Sequence, residues 1–148
     1  MAKQLRLRII TPERLILEEM VDEVVVPTTE GEIGILTDHI PLVAGLKSGE
    51  ILAFSNGEKI PMAVVGGFIE VNKDADGVTV VAILADFAEH VADITDAEIE
   101  KAKARAEELQ KQADNKEVVD FEHFATELER SLTRVKIADK WRTKKYRK

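Results

Sequence analysis

The side chains that most often carry catalysis or bind metals are scarce and widely separated in this chain of 148 residues. Cysteine is absent, which excludes disulfides, thiolate metal sites, iron–sulfur clusters and cysteine nucleophiles. The three histidines, His39, His90 and His123, lie too far apart in sequence to indicate a histidine-rich zinc site, although carboxylate sites for hard cations stay open. No motif supports a catalytic triad, so the chain is predicted to be catalytically inert alone, with no cofactor and no metal.

The pair Gly66-Gly67 is the nearest match in the chain to a phosphate-binding loop. A loop of that kind continues with Lys and Ser or Thr and joins a strand to a helix, whereas here Phe68 follows directly. Close backbone packing within a β domain is the better interpretation of the two glycines. We therefore expect no nucleotide at this position.

The strongest electrostatic feature is the carboxyl-terminal end. Residues 130–148 contain nine basic side chains and one acidic side chain, although the whole chain has a formal net charge of −7. A helix dipole favours one or two cations but does not account for nine, so this asymmetry predicts an acidic partner. Trp141 and Tyr146 among the lysines would also suit a nucleic acid or an anionic lipid surface. The basic residues are Arg130, Arg134, Lys136, Lys140, Arg142, Lys144, Lys145, Arg147 and Lys148.

The elements that position these residues change character near residue 88. All four prolines and all eight glycines lie before residue 78, and apolar residues there alternate with polar ones, as over residues 5–9. Asn56-Gly57 and Asp76-Gly77 are typical of tight turns between short strands. Residues 1–88 are therefore predicted to form an all-β domain, an antiparallel β-sandwich or flattened barrel of about eight to ten strands.

Residues 89–148 follow a helical period instead. Thr95 and Glu98 form a capping box that predicts a helix start, and Asp114-Asn115-Lys116 predicts a break before a second helix that begins near Asp120. The two helices, of about 19 and 25 residues, are expected to form an antiparallel two-helix hairpin. Its apolar seam is predicted to contain Ile99, Ala102, Ala106, Leu109 and Ala113 in the first helix, and Phe121, Phe124, Leu128, Leu132, Val135 and either Ala138 or Asp139 in the second.

This hairpin is predicted to be marginally stable alone. Three of the five seam residues in its first helix are alanines, which bury little surface, while each larger one contributes roughly 1.5–3 kcal/mol. Ordering the backbone costs about 1–2 kcal/mol per residue, and helical hydrogen bonds offset only part of that cost. The hairpin should therefore need another surface, and exchanging one surface for another should cost on the order of a few kcal/mol.

Four segments carry a resemblance to one known family. The longest is residues 26–49, VPTTEGEIGILTDHIPLVAGLKSG, and residues 65–71, 105–107 and 128–135 (VGGFIEV, RAE and LERSLTRV) follow in the same order and spacing. These segments resemble the epsilon subunit of the F-type ATP synthases, and the similarity covers nearly the whole chain. Residues 139–148 look like an extension beyond the usual end.

The resemblance implies a non-catalytic subunit of the rotating central stalk. In that family the sandwich binds the gamma subunit and sits on the ring of c subunits, so that it transmits torque from proton or sodium flow to the catalytic head. The hairpin folds against the sandwich or extends along gamma into the head, where it restrains ATP hydrolysis. The implied partners are gamma, the c ring and the catalytic beta and alpha subunits, at the cytoplasmic face of a bacterial cell membrane.

The resemblance also implies roles for particular residues. Glu32 and His39 are implied to face the c ring, although from the residues alone the segment 30–41 is a pair of glycine-punctuated bends. Phe68 is expected to lie either in the core or against gamma. The inhibitory contact with an acidic segment of the beta subunit is implied for Arg130, Arg134 and Lys136.

Some members of this family bind ATP through an Ile-Asp-x-x-Arg-Ala motif at the start of the first hairpin helix. The matching positions here are Ile94, Thr95 and Glu98, so a glutamate replaces the arginine that would face the phosphates. Arg105 remains nearby, but a single arginine at helical spacing is more often solvated or salt-bridged. ATP is therefore expected to bind weakly or not at all.

A second interpretation stays open from the residues alone: a stand-alone β-sandwich adaptor whose basic helices bind an anionic polymer. The chain lacks the run of about 18 apolar residues that would cross a membrane, and its first residues are typical of neither a signal peptide nor a transit peptide. Together with the absence of cysteine, these features predict a soluble protein of a reducing compartment. The lack of an import segment before Met1 favours a bacterial origin, although a plastid-encoded chain would look the same.

Overall fold

A computed structural model describes residues 3–114 and 121–147 of the chain, as ten strands followed by two helices. The strands form two five-stranded sheets packed face to face. In chain order they are β1 (Leu5–Ile10), β2 (Leu15–Val21), β3 (Glu23–Thr28), β4 (Gly31–Leu36), β5 (Leu42–Gly45), β6 (Gly49–Ser55), β7 (Glu58–Val65), β8 (Phe68–Lys73), β9 (Thr79–Leu84) and β10 (Phe87–His90).

The order of strands is β2-β1-β9-β8-β5 in the first sheet and β10-β7-β6-β3-β4 in the second. Each sheet keeps its own two edge strands, so the predicted sandwich is confirmed and the flattened-barrel alternative is not. Pairing is antiparallel except between β1 and β9, which run parallel. Sequence alternation predicts strands but not which distant strand lies beside them, and this parallel pair corrects the expectation of a purely antiparallel domain.

The core lies between the two sheets and follows from the alternation of residue types. Leu5, Leu7 and Ile9 of β1 are completely buried, whereas Arg6 and Arg8 between them lie on the outer face of the first sheet. Side chains from both inner faces complete the core, as the period of two predicts.

The glycine doublet is a point of close backbone approach. Gly67 has a φ of +104°, and a Cβ atom there would lie 2.0 Å from the carbonyl oxygen of Leu84. Only glycine therefore fits where the turn after β7 meets the end of β9. The packing interpretation of Gly66-Gly67 is confirmed.

Two helices follow a short 3-10 turn at Val91–Asp93: α1 (Asp96–Asp114) and α2 (Phe121–Trp141). The predicted capping box is confirmed, because the Glu98 N–H donates to Thr95 Oγ1 at 3.2 Å and the Thr95 N–H donates to Glu98 Oε2 at 2.9 Å. The break is predicted at Asp114-Asn115-Lys116, and of these only Asp114 is among the described residues. The division of the chain between residues 88 and 89 stays a prediction, since β10 continues to His90.

The predicted apolar seam holds for the described positions of α1 but only in part for α2, where Ala138 is buried and Leu128 and Val135 are half-buried. The α1 positions Ile99, Ala102, Ala106 and Leu109 are buried. Leu132 of α2 is 45% exposed, so its assignment to the seam is wrong. The side chains of Ala113, Phe121 and Phe124 lie outside the described part of the chain. Among the described side chains of α2, the buried ones are Ser131, Thr133, Ile137, Ala138 and Trp141.

The reason for this difference is that α2 packs against two surfaces, α1 on one side and the second sheet on the other. Ile137 and Trp141 cluster with Ala63 of β7 and with Val91. As a result β7 is buried on both faces over its last six residues. A helix with two partners cannot follow a single narrow stripe.

No helix in the part of the chain that the structure describes is long and apolar enough to span a bilayer. Among residues 3–114 and 121–147, no three side chains of the metal-binding types come together as a site for an ion.

Candidate interaction surfaces

An exposed apolar stripe crosses the outer face of the first sheet. Ile10 lies opposite Leu15 of β2 and beside Leu84 of β9, and Leu84 in turn lies opposite Phe68 of β8. Leu15, Leu84 and Phe68 are 49%, 50% and 61% exposed. We call these four residues the apolar stripe. An apolar surface that is continuous across four strands is typical of a protein-binding site.

The stripe settles one sequence expectation and adds three residues that were missed, of which Ile10 is the least exposed. Phe68 is not in the core, so that alternative is wrong, whereas contact with gamma stays a prediction. Leu15 and Leu84 were not singled out from sequence. A signal was present for Leu84, because Val81 and Ile83 of the same strand point inward and place Leu84 on the outer face.

The segment predicted as a pair of bends contains a strand instead. Residues 31–36 form β4, an edge strand that begins at Gly31, whose φ is +123°. Glu32 is exposed near the start of β4, and His39 lies in the turn beyond its other end. The structure therefore does not bring Glu32 and His39 together.

The turn after β4 has its own exposed apolar residues. Leu36 and Ile40 are 57% and 73% exposed on either side of it. Asp38 lies in this turn with a φ of +67°. Its carboxylate pairs with Lys73 at 3.1 Å, and this pairing lowers the pKa of the Asp38 carboxyl. The His39 ring Nδ1 lies 2.7 Å from the Ile40 carbonyl oxygen. This turn therefore presents a mixed apolar and polar surface.

The basic end of the chain pairs with acids of its own sandwich. Arg134 of α2 donates two hydrogen bonds to Glu89 of β10, at 2.8 and 3.1 Å, and lies 3.6 Å from Glu98. Burial raises the pKa of the Glu89 carboxyl, and the hydrogen bonds from Arg134 oppose this shift without cancelling it. Arg134 thus pairs with an acid of its own chain in this conformation, and its contact with the beta subunit stays a prediction.

The other two residues predicted to bind the beta subunit differ from Arg134. The Arg130 guanidinium lies over the ring of Phe87, 4.9 Å from its centre, and its Nε is buried without a hydrogen-bond partner. Lys136 is exposed. Further along, Trp141 is 2% exposed, which removes it from the surface that a nucleic acid would contact.

The residues at the positions of the degenerate nucleotide motif make contacts that stabilise the helices. Thr95 and Glu98 cap α1, as described above, and Ile94 precedes them. Arg105 donates to both carboxylate oxygens of Glu127 at 2.5 and 3.0 Å and also pairs with Glu108 at 3.0 Å. These contacts raise the pKa of Arg105 and tie α1 to α2. Arg105 therefore stabilises the hairpin.

Known proteins resemble this chain over both the sandwich and the hairpin. Residues 4–91 match the family model described as "ATP synthase, Delta/Epsilon chain, beta-sandwich domain". The ATP synthase epsilon chain of Syntrophobacter fumaroxidans is 39% identical over 95% of this chain and 99% of its own length. That of Nitratidesulfovibrio vulgaris is 40% identical over 93% and 97% of the two chains.

The solved structures agree with the sequences. A chain of the mitochondrial ATP synthase of Euglena gracilis, in a structure of OSCP, F1 and the c-ring, matches with a TM-score of 0.61 and 26% identity, over 92% of this chain and 78% of its own. The matched family model covers the sandwich, and the curated relatives extend through the hairpin. The chain therefore belongs to the ATP synthase epsilon-chain family, as a non-catalytic subunit of that complex.

Proposed function

We propose that this subunit couples proton transport to ATP synthesis in the central stalk and restrains ATP hydrolysis through its helical hairpin. One observation carries the proposal: the two sheets of the sandwich present different outer faces. The first sheet presents the apolar stripe, while α2 packs on β7 and β6 of the second. The sandwich thus has one outer face that is suited to a permanent interface with another subunit, and a second outer face on which the hairpin docks and from which it can be released.

We assign the apolar stripe to the gamma subunit. Its exposed leucines and Phe68 are suited to a permanent interface, because the cores of such interfaces are apolar and poor in charge. The edge strand β4 and the turn after it, with Glu32, His39, Leu36 and Ile40, are assigned to the c ring. The subunit then lies peripherally at the cytoplasmic face of the membrane.

The hairpin is suited to release because its described contacts with the sandwich combine a small apolar cluster with ion pairs that another acidic surface can replace. Most of them come from α2, which adds only a small apolar cluster around Ala63 to its ion pairs. Ion pairs with partly exposed partners contribute only about 0–1 kcal/mol each. An acidic segment of the beta subunit can therefore replace the sandwich as the partner of Arg130, Arg134 and Lys136.

Copurification tests the assignment. The full chain is expected to form a stable complex with gamma and the catalytic head, and to lower the rate of ATP hydrolysis by that head. Binding to nucleic acid that weakens steeply with salt, without such a complex, would instead identify an adaptor for an anionic polymer. The burial of Trp141 and the internal pairing of Arg134 argue against the adaptor.

ATP is expected to bind this chain weakly or not at all. A groove of about 310 Å³ between the helices and β10 contains Lys101, Arg105, Arg130 and Arg134. Arg105 and Arg134 are already engaged by carboxylates, and Glu98 adds a negative charge where the family motif has arginine. Isothermal titration of the full chain with ATP checks this prediction, and tight stoichiometric uptake would contradict it.

Replacing Arg134 should make hairpin docking depend on pH. In Arg134→Ala the buried Glu89 carboxyl loses its cation, so its pKa rises further in the docked form, whereas it returns to its ordinary value on release. The docked form then binds more protons and gains stability as the pH falls. We expect docking in Arg134→Ala to strengthen as the pH falls toward the raised pKa of Glu89.

The measurement is acrylamide quenching of Trp141, the one tryptophan of the chain, which docking buries. The control is Arg134→Ala combined with Glu89→Gln, which removes the titrating carboxyl while leaving His90 in place. Its quenching should depend less on pH than that of Arg134→Ala, because the titrating carboxyl is gone. A double variant as pH-sensitive as Arg134→Ala would show that another group is responsible.

A further inference from the structure

The last residues of the chain turn back onto the sandwich after α2 ends. The backbone N–H of Lys144 donates to the Trp141 carbonyl at 3.3 Å, and that of Arg147 donates to the Lys59 carbonyl of β7 at 2.9 Å. We call residues 142–147 the tail. The tail is therefore attached to the second sheet through the backbone as well as through its side chains.

Arg147 connects the tail to both sheets. Its Nη1 and Nη2 atoms donate to the two carboxylate oxygens of Glu19 at 2.5 Å each, and its Nε lies 4.0 Å from Glu58. Glu19 belongs to β2 of the first sheet, and Glu58 begins β7 of the second. A two-pronged pair of this kind is the strongest arrangement of arginine and carboxylate.

Glu19 is a carboxylate that needs such a partner. It lies directly opposite Leu7, whose side chain points into the core, so the Glu19 side chain is on the inner side of the edge strand β2. The hydrogen bonds from Arg147 lower the pKa of Glu19 despite its partial burial. Arg147 thus neutralises a charge at the open rim of the sandwich.

The tail also covers the end of α2. Trp141 Nε1 donates to Glu50 Oε1 at 2.9 Å, and Lys140 reaches the other oxygen of that carboxylate at 2.5 Å. The Tyr146 ring packs edge-on against Trp141 with centroids 5.7 Å apart. Tyr146 therefore closes the pocket in which the indole is buried.

We propose that the tail is an intramolecular latch, in which Arg147 on Glu19 and Tyr146 on Trp141 fasten the docked hairpin to both sheets of the sandwich. The latch sets how readily the hairpin leaves the sandwich. This inference deepens the proposed function, because it concerns release of the same hairpin. Its test measures docking rather than hydrolysis, so the two can fail separately.

The test compares Arg147→Gln with Lys145→Gln in the full chain. Both changes remove one positive charge from the tail, but Lys145 is exposed and two residues away from the Glu19 pair. We expect acrylamide quenching of Trp141 and amide exchange in α2 to show about a three- to fivefold larger open fraction in Arg147→Gln, as the loss of an ion pair worth ~1 kcal/mol requires. Lys145→Gln should behave as the native chain does.

Charge reversal separates a latch from general destabilisation. Glu19→Arg and Arg147→Glu should each open the hairpin, and the two together should restore docking, because the pair is re-formed with its charges exchanged. Exchange in the interior strand β3 should stay unchanged throughout. Failure of the double variant to restore docking, or equal opening in Arg147→Gln and Lys145→Gln, would overturn the latch.

These results stay distinguishable from the proposed function. Opening of the hairpin in Arg147→Gln, in a subunit whose α2 has no effect on hydrolysis, would support the latch and refute the proposed inhibition. Inhibition that depends on α2, with docking unaffected by Arg147→Gln, would do the reverse.

Discussion

Ending the chain after Asp120, which removes α2, is expected to raise the rate of ATP hydrolysis by the assembled catalytic head about tenfold, within the range of coupling free energies of ~1–3 kcal/mol between two sites. The inhibitory contact is assigned to Arg130, Arg134 and Lys136, and all three lie on α2. The sandwich keeps its apolar stripe in this variant. Assembly should therefore persist while the restraint is lost.

A second truncation provides the matched control. Ending the chain after Trp141 removes the tail but keeps α2, so the latch opens while the inhibitory residues remain. Hydrolysis should then equal that of the full complex or fall below it. Steady-state hydrolysis by purified complexes of equal subunit content measures both variants. An unchanged rate after removal of α2, or an equal increase in both truncations, would contradict inhibition by the hairpin.

The parts of the fold that sequence predicts well are those set by local periodicity. The alternation in Leu5, Leu7 and Ile9 is reproduced as three completely buried side chains on one face of β1. The capping pair Thr95 and Glu98 starts α1 as predicted. In each case the residues that determine the element are its own neighbours in sequence, so no knowledge of distant partners is needed.

Predictions fail where a distant part of the chain decides the outcome. A single seam on α2 required Leu132 to be buried, but the second partner of α2 is β7, which lies far away in sequence and selects Ile137 and Trp141 instead. The parallel neighbour of β1 is β9 for the same kind of reason. Periodicity reports that a face is buried and not what buries it.

The basic end illustrates how this limit affects the candidate site. Nine cations predict an acidic partner, but the acids that three of them contact, Glu19, Glu50 and Glu89, are within the same chain, and Glu19 is 128 residues from Arg147. In the sequence, nothing distinguishes these three acids from the other acidic residues of the strands. Only the fold brings them to the hairpin. The charge asymmetry therefore predicts both the internal contact and the exchange partner proposed on the beta subunit, because each is acidic.

Replacing Phe68 with aspartate is expected to weaken binding to gamma about a hundredfold, a change of ~2.7 kcal/mol. Burial of the ring at an interface contributes about 1.5–3 kcal/mol, and a carboxylate enclosed there without a partner adds a further penalty. The fold should tolerate the change, since Phe68 is exposed in the free chain. Titration of the purified subunit with gamma measures the loss.

The control for this prediction is Asn72→Asp, which adds the same charge to the same strand. Asn72 lies four residues along β8, opposite Val80, so it shares the outer face with Phe68 but lies outside the apolar stripe. Its affinity for gamma should stay close to native. Equal losses in both variants would indicate a general effect of negative charge on the face, and native affinity in both would remove the stripe from the interface. A loss confined to Phe68→Asp requires direct burial of the ring, because charge, strand and face are otherwise matched.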